Sequence, residues 1–188
     1  SNQLTELDVS SCEALVYLDC SDNGLTALNV SDCTALQYLY CDSTQLTELD
    51  VSDCTALYYL DCSSNQLTAL NLSQNTALRY LYCDDNVLTS LDVSGLTNLY
   101  ILSCTNNALT SLNVSGCTAL RNLSCDDQTP ELEVERGADG MWTVDLATLI
   151  KGGENVTDVQ TSTQGVTVAG AAVSWRDKAV HPVVAYAY

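Results

Sequence analysis

Residues 1–128 alternate leucines and polar residues in a pattern that repeats every 21 residues. Six copies align, of which the first is SNQLTELDVSSCEALVYLDC and the last is NNALTSLNVSGCTALRNLSC. Four leucine columns, starting at Leu4, Leu7, Leu15 and Leu18, are unchanged in all six copies. A fixed period with constant apolar positions predicts a solenoid of stacked coils in which these leucines point inward.

Each copy contains two short segments, LTxLxV and LxxLxC, whose first leucines are 11 residues apart. The alternation around the second leucine of each segment predicts a short β-strand, with the leucine facing the core and its two neighbours facing solvent. Half a copy leaves room for a strand and a bend, but not for an α-helix of ordinary length. We therefore expect little helix in the repeats.

The unit LTxLDVSxCTALxYLxCSxNx resembles a leucine-rich repeat of the bacterial nested type, in which one unit carries two LxxLx(L/C) motifs. The resemblance implies a right-handed solenoid of short parallel strands, with two sheets. It also implies that an asparagine column is the family's asparagine ladder, whose side chains would satisfy backbone groups in a buried bend. This column comprises Asn2, Asn23, Asn65, Asn86 and Asn107, with Thr44 and Gln128 as departures.

The ten cysteines fall into two columns of the repeat. One column holds Cys20, Cys41, Cys62, Cys83, Cys104 and Cys125, and the other holds Cys12, Cys33, Cys54 and Cys117, with Asn75 and Leu96 in place of cysteine. Side chains in register on stacked coils point the same way, which disfavours disulfides, and the repeats contain neither CxxC nor histidine for a zinc site. We expect mostly free, inward-facing thiols that pack as small hydrophobic residues, with one or two disulfides as the alternative.

Tyrosine dominates the positions that flank the leucine of the LxxLxC strand. Eight of the ten tyrosines lie on or beside this strand, and the chain contains no phenylalanine. The candidate binding residues are Tyr17, Tyr38, Tyr40, Tyr58, Tyr59, Asp61, Tyr80, Tyr82 and Tyr100. Tyrosine supplies contact area with little loss of rotamer entropy, which favours a recognition surface for a protein or a glycan. Stacked tyrosines also stabilise a sheet without any ligand, so a structural role is the alternative.

The other motif presents threonines, acids and amides instead of aromatic rings. One of its outward columns alternates strictly between aspartate and asparagine: Asp8, Asn29, Asp50, Asn71, Asp92 and Asn113. An amide between two carboxylates can donate a hydrogen bond to one of them, which predicts side-chain bonds between coils. The absence of a compact DxDxD cluster disfavours a calcium site, and the acids among the threonines disfavour an ice-binding surface.

The composition changes after CDDQTP. Residues 129–188 hold both tryptophans, the only histidine and four of the six basic residues. The segments ELEVE, MWTVDL, NVTDVQ, GVTVAG, AAVSW and PVVAYAY, separated by turn-forming residues, predict a small β-sandwich-like domain that caps the last coil. This tail resembles the β modules that follow such repeats in surface proteins of gut bacteria. We interpret Trp142, Trp175 and His181 as structural residues of this domain.

The formal net charge of −18 argues against binding to nucleic acid or to an anionic membrane. Because the sequence shows no signal-peptide pattern and no apolar run of about 18 residues, we expect neither a signal peptide nor membrane insertion of this segment. The acids recur with the repeat and do not converge on a point, which disfavours an enzyme. Together with the resemblance, these features predict a non-enzymatic binding module of a bacterial surface or secreted protein, without cofactor or metal. A structural stalk is the alternative.

Overall fold

The computed structural model describes residues 2–126 and residue 128, together with the backbone of seven strands between residues 135 and 187. The described residues form a parallel β-solenoid without helix, in which each 21-residue copy makes one coil. Its ten strands are β1 (Glu6–Asp8), β2 (Tyr17–Asp19), β3 (Ala27–Asn29), β4 (Tyr38–Tyr40), β5 (Tyr59–Asp61), β6 (Tyr80–Tyr82), β7 (Ser90–Asp92), β8 (Ile101–Ser103), β9 (Ser111–Asn113) and β10 (Asn122–Ser124).

The LxxLxC strands form one unbroken parallel sheet, which we call the tyrosine sheet. Its order is β2, β4, β5, β6, β8 and β10. Equivalent residues of adjacent coils pair directly, as Tyr38 does with Tyr59. The central leucine of each strand points into the core, and Leu39, Leu60 and Leu81 have no exposed surface. The predicted alternation of inward leucines and outward neighbours is therefore confirmed on this side of the solenoid.

The opposite side of the solenoid is only partly a sheet. Strands β1 and β3 pair, and so do β7 and β9, but residues 48–50 and 69–71 form no strand. A cleft of about 340 Å³ is lined by residues 69–73 of one coil and by Ser90, Asp92, Ser94 and Leu96 of the next. The expectation of two sheets is thus correct only for the coils at the two ends.

Leucine and cysteine fill the core between the two sides. From Leu25 onward, the leucines of all four columns are buried except Leu28, which is partly buried. In the first coil, however, Leu4 is 44% exposed and Cys12 is exposed. Burial of the columns is therefore incomplete in this coil, where Cys20 is buried and Leu7, Leu15 and Leu18 are partly buried against the core.

An asparagine ladder closes the bend that follows the tyrosine sheet. The Asn65 amide donates to the carbonyls of Cys41 at 2.9 Å and Cys62 at 3.1 Å, and its Oδ1 accepts from the Leu46 N–H at 2.9 Å. Asn86 and Asn107 bond in the same way, and Gln128 completes the series. The predicted ladder is confirmed for these coils. Thr44 departs from it, since its single hydroxyl proton is shared between two acceptors, the Cys41 carbonyl and Asn65 Oδ1.

The second bend is held by the other cysteine column. The Sγ of Cys33, Cys54 and Cys117 lies 3.1 to 3.6 Å from a backbone carbonyl oxygen 24 residues earlier in the chain. Asn75 replaces cysteine in this column, and its amide donates to the carbonyls of Val51 and Cys54. Its Oδ1, however, is buried without a hydrogen-bond partner. This bend is therefore less well satisfied at Asn75 than at the cysteines.

The tail contributes seven strands, some of which join the solenoid sheets. They are β11 (Glu135–Arg136), β12 (Trp142–Asp145), β13 (Ile150–Lys151), β14 (Asp158–Thr161), β15 (Val166–Ala169), β16 (Ala172–Trp175) and β17 (Val184–Ala187). Strands β17 and β14 extend the tyrosine sheet beyond β10, β13 pairs with β9, and the rest form a separate antiparallel sheet. The predicted sandwich core, with the side chains of Trp142, Trp175 and His181, lies outside the described residues. No described segment forms a helix with the length and apolar content that a membrane crossing requires.

Candidate binding surface

Eight tyrosine rings form one continuous set of contacts on the tyrosine sheet, which we call the tyrosine lattice. It comprises Tyr17, Tyr38, Tyr40, Tyr58, Tyr59, Tyr80, Tyr82 and Tyr100, and neighbouring ring centroids lie between 4.8 and 6.3 Å apart. These distances fall in the range that aromatic pairs prefer. The structure thus brings together every tyrosine that the sequence singles out as a candidate.

The tyrosine rings are partly buried by one another. Tyr17, at the end of the lattice, is 55% exposed, and the other seven tyrosines are half-buried. The central ring, Tyr59, contacts Tyr40, Tyr80 and Tyr82. The sequence pattern predicts that these side chains point outward and can stack, and the structure shows which rings contact one another. The resulting surface is both accessible and held in place.

Four carboxylates line the lattice at the C-terminal ends of the strands, and we call them the acidic flank: Asp19, Asp42, Asp61 and Asp84. Asp61 ends β5 and stands in register between Tyr40 and Tyr82. Partial burial raises the pKa of its carboxyl group, and the nearby charges of Asp42 and Asp84 add to this, while hydrogen bonds from Ser63 oppose it. The free protein therefore holds several like charges close together beside the rings.

Two members of this flank, Asp42 and Asp84, are absent from the sequence-based set of binding residues. Each follows its strand by two residues, in a column that alternates between a hydroxyl residue (Ser21, Ser63, Thr105) and aspartate. Asp84 accepts hydrogen bonds from the Ser103 hydroxyl at 2.6 Å and from the Thr105 N–H at 2.8 Å, which fix the direction of its carboxylate. The alternation of this column was the signal that could have identified them.

The hydroxyl groups of Tyr40 and Tyr59 stay protonated. Burial raises the pKa of Tyr59 and of Tyr40, and the charge of Asp61 contributes in both cases. A phenol that keeps its proton can donate a hydrogen bond and also accept one. The lattice can therefore offer both polar and aromatic contacts to a partner over the physiological pH range.

Arg79 lies against the lattice on the side opposite to the acidic flank. Its guanidinium carbon is 5.3 Å from the ring centroid of Tyr100 and 6.0 Å from that of Tyr80. Both distances are within the range of a cation–π contact. Sequence reasoning missed this residue because arginine occurs at a position where the neighbouring coils have tyrosine, and only the structure shows which rings it reaches.

The cysteines belong to the core and not to this surface. All ten are free thiols, and nine of them are buried. Thiols of the larger column, such as Cys41 and Cys62, donate to the carbonyl oxygen 20 residues later at about 3.5 Å. Burial raises the pKa of Cys20 to about 11 and that of Cys54 to about 12, so these groups stay protonated and unreactive. In the described part of the chain, no cluster of three or more potential ligands could hold a metal ion.

The opposite side of the solenoid binds its acids internally. Asp50 accepts a hydrogen bond from the Ser52 N–H at 3.0 Å, and bonds from Ser52 lower the pKa of its carboxyl group. The Asn113 amide donates to the Asp92 carboxylate of the preceding coil at 3.1 Å, which confirms the predicted amide–carboxylate bond at that pair. The Asp50 carboxylate is therefore stabilised as a charge, unlike that of Asp61.

Comparisons with known proteins bear on the fold. The chain matches no protein-family model and no curated protein. Among solved structures, Listeria monocytogenes InlP aligns over 98% of this chain and 66% of its own, at 22% identity and a TM-score of 0.57. The described coils have a leucine-rich repeat fold. The likeness to InlP supports the fold that the repeat unit predicts, and it shows the fold alone.

Two further solved structures are also bacterial proteins of this kind. The functional domain of Listeria monocytogenes InlJ, described as including a cysteine ladder, aligns over 93% of this chain and 68% of its own at 20% identity, with a TM-score of 0.39. A leucine-rich repeat protein of Leptospira interrogans aligns over 62% of this chain and 37% of its own at 22% identity, with a TM-score of 0.45. This chain thus spans about two thirds or less of the proteins it matches.

Proposed function

We propose that this chain is a non-enzymatic binding module of a bacterial surface or secreted protein, which recognises a protein or glycan through the tyrosine lattice and Asp61. The observation that carries the proposal is the continuous set of eight partly accessible rings beside the acidic flank. Aromatic side chains are enriched at recognition surfaces, where they provide much of the binding energy.

The mutual packing of the rings suits them for recognition. Each ring of the lattice contacts at least one other, and parallel pairing fixes the backbone beneath them. A surface that is ordered before binding loses little side-chain entropy when a partner docks. The non-enzymatic part of the proposal rests on two features: buried thiols such as Cys54 remain protonated, and the acids recur with the 21-residue period.

A structural stalk is the second candidate, and the half-burial of the rings favours it. Rings that bury one another stabilise the sheet whether or not anything binds. The two functions differ in what the loss of the rings changes: a stalk loses stability, whereas a binding module loses affinity.

The test replaces Tyr40, Tyr59 and Tyr80 with serine and screens the full chain against glycans and bacterial and host surface proteins. The matched control replaces Thr47, Thr68 and Thr89, three exposed residues of the other motif, with serine. We expect the tyrosine variant alone to lose binding, by about tenfold or more. Intact binding together with a lower melting temperature would favour the stalk and overturn the proposal.

A second variant guards against loss of binding through unfolding. Tyr17 has the most exposed ring of the lattice and contacts only Tyr38 and Tyr40. Tyr17→Ser should weaken binding with little change in the melting temperature. If the triple variant unfolds and Tyr17→Ser still binds with unchanged affinity, recognition by the lattice is contradicted.

A further inference from the structure

We propose that the partner of this surface is an arginine-rich protein segment, whose guanidinium groups lie on the tyrosine rings and pair with the acidic flank. The inference rests on the proposed function and specifies its partner. The first argument is charge complementarity. The chain carries a formal net charge of −18, and Asp19, Asp42, Asp61 and Asp84 lie along one side of the lattice. A cationic segment would offset the repulsion among these carboxylates.

The second argument is that the lattice already holds one arginine. The Arg79 guanidinium lies over Tyr80 of its own coil and Tyr100 of the next, whose rings are 6.3 Å apart at an interplanar angle of 68°. The surroundings of Arg79 therefore show, within this molecule, how a guanidinium group fits between two rings of this surface. No change of ring position is needed for such a contact.

The same ring pair recurs two coils earlier without an arginine. There, Tyr38 and Tyr58 are 5.8 Å apart at an interplanar angle of 58°. The residue that corresponds to Arg79 in this coil is Gln37, which is exposed. The Tyr38–Tyr58 pair is thus a guanidinium site by internal repetition, and Asp61 and Asp42 lie at the other end of the same strands.

Arginine fits this site better than lysine does. Its planar guanidinium stacks on aromatic faces and is less strongly hydrated than an ammonium group. A preference for arginine over lysine at equal charge therefore separates a contact with the rings from a diffuse attraction to a negative protein. The latter depends on net charge and is screened by salt.

The experiment measures binding of oligo-arginine and oligo-lysine peptides of equal length to the full chain by fluorescence anisotropy, at about 150 mM salt to screen diffuse attraction. We expect the arginine peptide to bind about threefold tighter or more. Gln37→Arg, which places an internal guanidinium on the Tyr38–Tyr58 pair, should weaken the arginine peptide by about tenfold. Gln66→Arg adds the same charge at an exposed position of the bend before the other motif and should change affinity by less than about twofold.

A second pair of variants tests the acidic flank at matched charge. Asp42→Asn with Asp61→Asn should reduce affinity for the arginine peptide far more than Asp8→Asn with Asp50→Asn on the opposite side. Equal losses in the two double variants, or equal affinity for the two peptides, would overturn the inference. Even then, the proposed function still holds if the screen finds a neutral ligand that binds the native chain but not the triple tyrosine variant. If the triple tyrosine variant still binds every ligand of the native chain, the proposed function is wrong.

Discussion

The tyrosine sheet and the opposite side of the solenoid come from the same 21-residue unit, yet adjacent coils interact differently on the two sides. On the tyrosine sheet, pairing is unbroken and half-buried rings pack across neighbouring coils. On the opposite side, short polar side chains bond locally, as Asp50 does with Ser52, and pairing stops at the middle coils. The difference indicates that large outward side chains can stabilise a sheet through contacts between coils. Where the outward side chains are small and polar, the sheet depends on its backbone hydrogen bonds alone.

The largest expected effect on stability concerns the core leucines, and it differs between the two sides of the solenoid. Leu60, under the tyrosine sheet, has no exposed surface, whereas Leu49, under the opposite side, is 8% exposed. Leu60→Ala should lower the free energy of unfolding by about 3 kcal/mol, and Leu49→Ala by about 1 kcal/mol less, because the looser site can relax. Urea denaturation measures both values. Equal losses would mean that the two sides are equally well packed.

The next effect concerns the outward faces themselves. Tyr59→Ala removes contacts with three rings and should cost about 2 kcal/mol of stability. Glu48→Ala, an exposed change on the opposite side, should fall within about 0.5 kcal/mol of zero. Tyr59→Phe keeps the ring and should retain most of the stability in the same denaturation experiment. A neutral Tyr59→Ala would contradict the role that we assign to ring packing.

A smaller effect compares the two bends. Asn75→Cys removes a buried oxygen that has no partner and restores a thiol that can donate to the Val51 carbonyl, as Cys54 does to Val30. We expect it to stabilise the protein by about 1 kcal/mol. Asn65→Cys, at the satisfied bend, should destabilise it instead. Thermal unfolding under reducing conditions distinguishes the two outcomes, and a loss of stability at both positions would refute the proposed difference between the bends.

The smallest effect is a difference in pH dependence. Because the pKa of Asp61 is raised in the fold, mainly by burial, its ionisation opposes folding, and this destabilisation is relieved as pH falls through that pKa. Because the pKa of Asp50 is lowered by Ser52, its contribution to stability is lost as pH falls through that pKa. Asp61→Asn should therefore raise the melting temperature at pH 7 more than at pH 4. Carbon NMR titration of the two carboxyl groups should show the opposite shifts directly.

Much of the solenoid could be predicted from periodicity alone. Leucine columns fix the 21-residue register, and the structure pairs Leu39 with Leu60 in that register. The interruption of the second sheet could not be predicted, because identical sequences behave differently. Glu6–Asp8 and residues 48–50 are both ELD, but only the first forms a strand. Pairing there is therefore not decided by the sequence of the segment itself.

The candidate surface shows the same limit. Columns of the repeat placed the eight tyrosines and Asp61 on one face, because alternation in a strand sets the direction of each side chain. The contact of Arg79 with Tyr100, and the grouping of Asp42 and Asp84 around Asp61, depend on distances between coils. Such neighbours become visible only when the coils are stacked in three dimensions.

The asparagine ladder has a consequence for how an array of this kind changes its length. From Asn65 onward, each ladder amide accepts from the N–H of the leucine 19 residues earlier and donates to the carbonyls 3 and 24 residues earlier, as Asn86 does with Leu67, Cys83 and Cys62. A duplicated unit therefore adds one ladder amide together with one set of backbone groups for that amide to bond. Whole units can thus be gained or lost in evolution without leaving backbone groups of the bends unbonded. The gain or loss of a single residue within a unit would displace the amide from its bend. Duplication in pairs also preserves the alternation of charges, so gene duplication by two coils is the least disruptive path of growth.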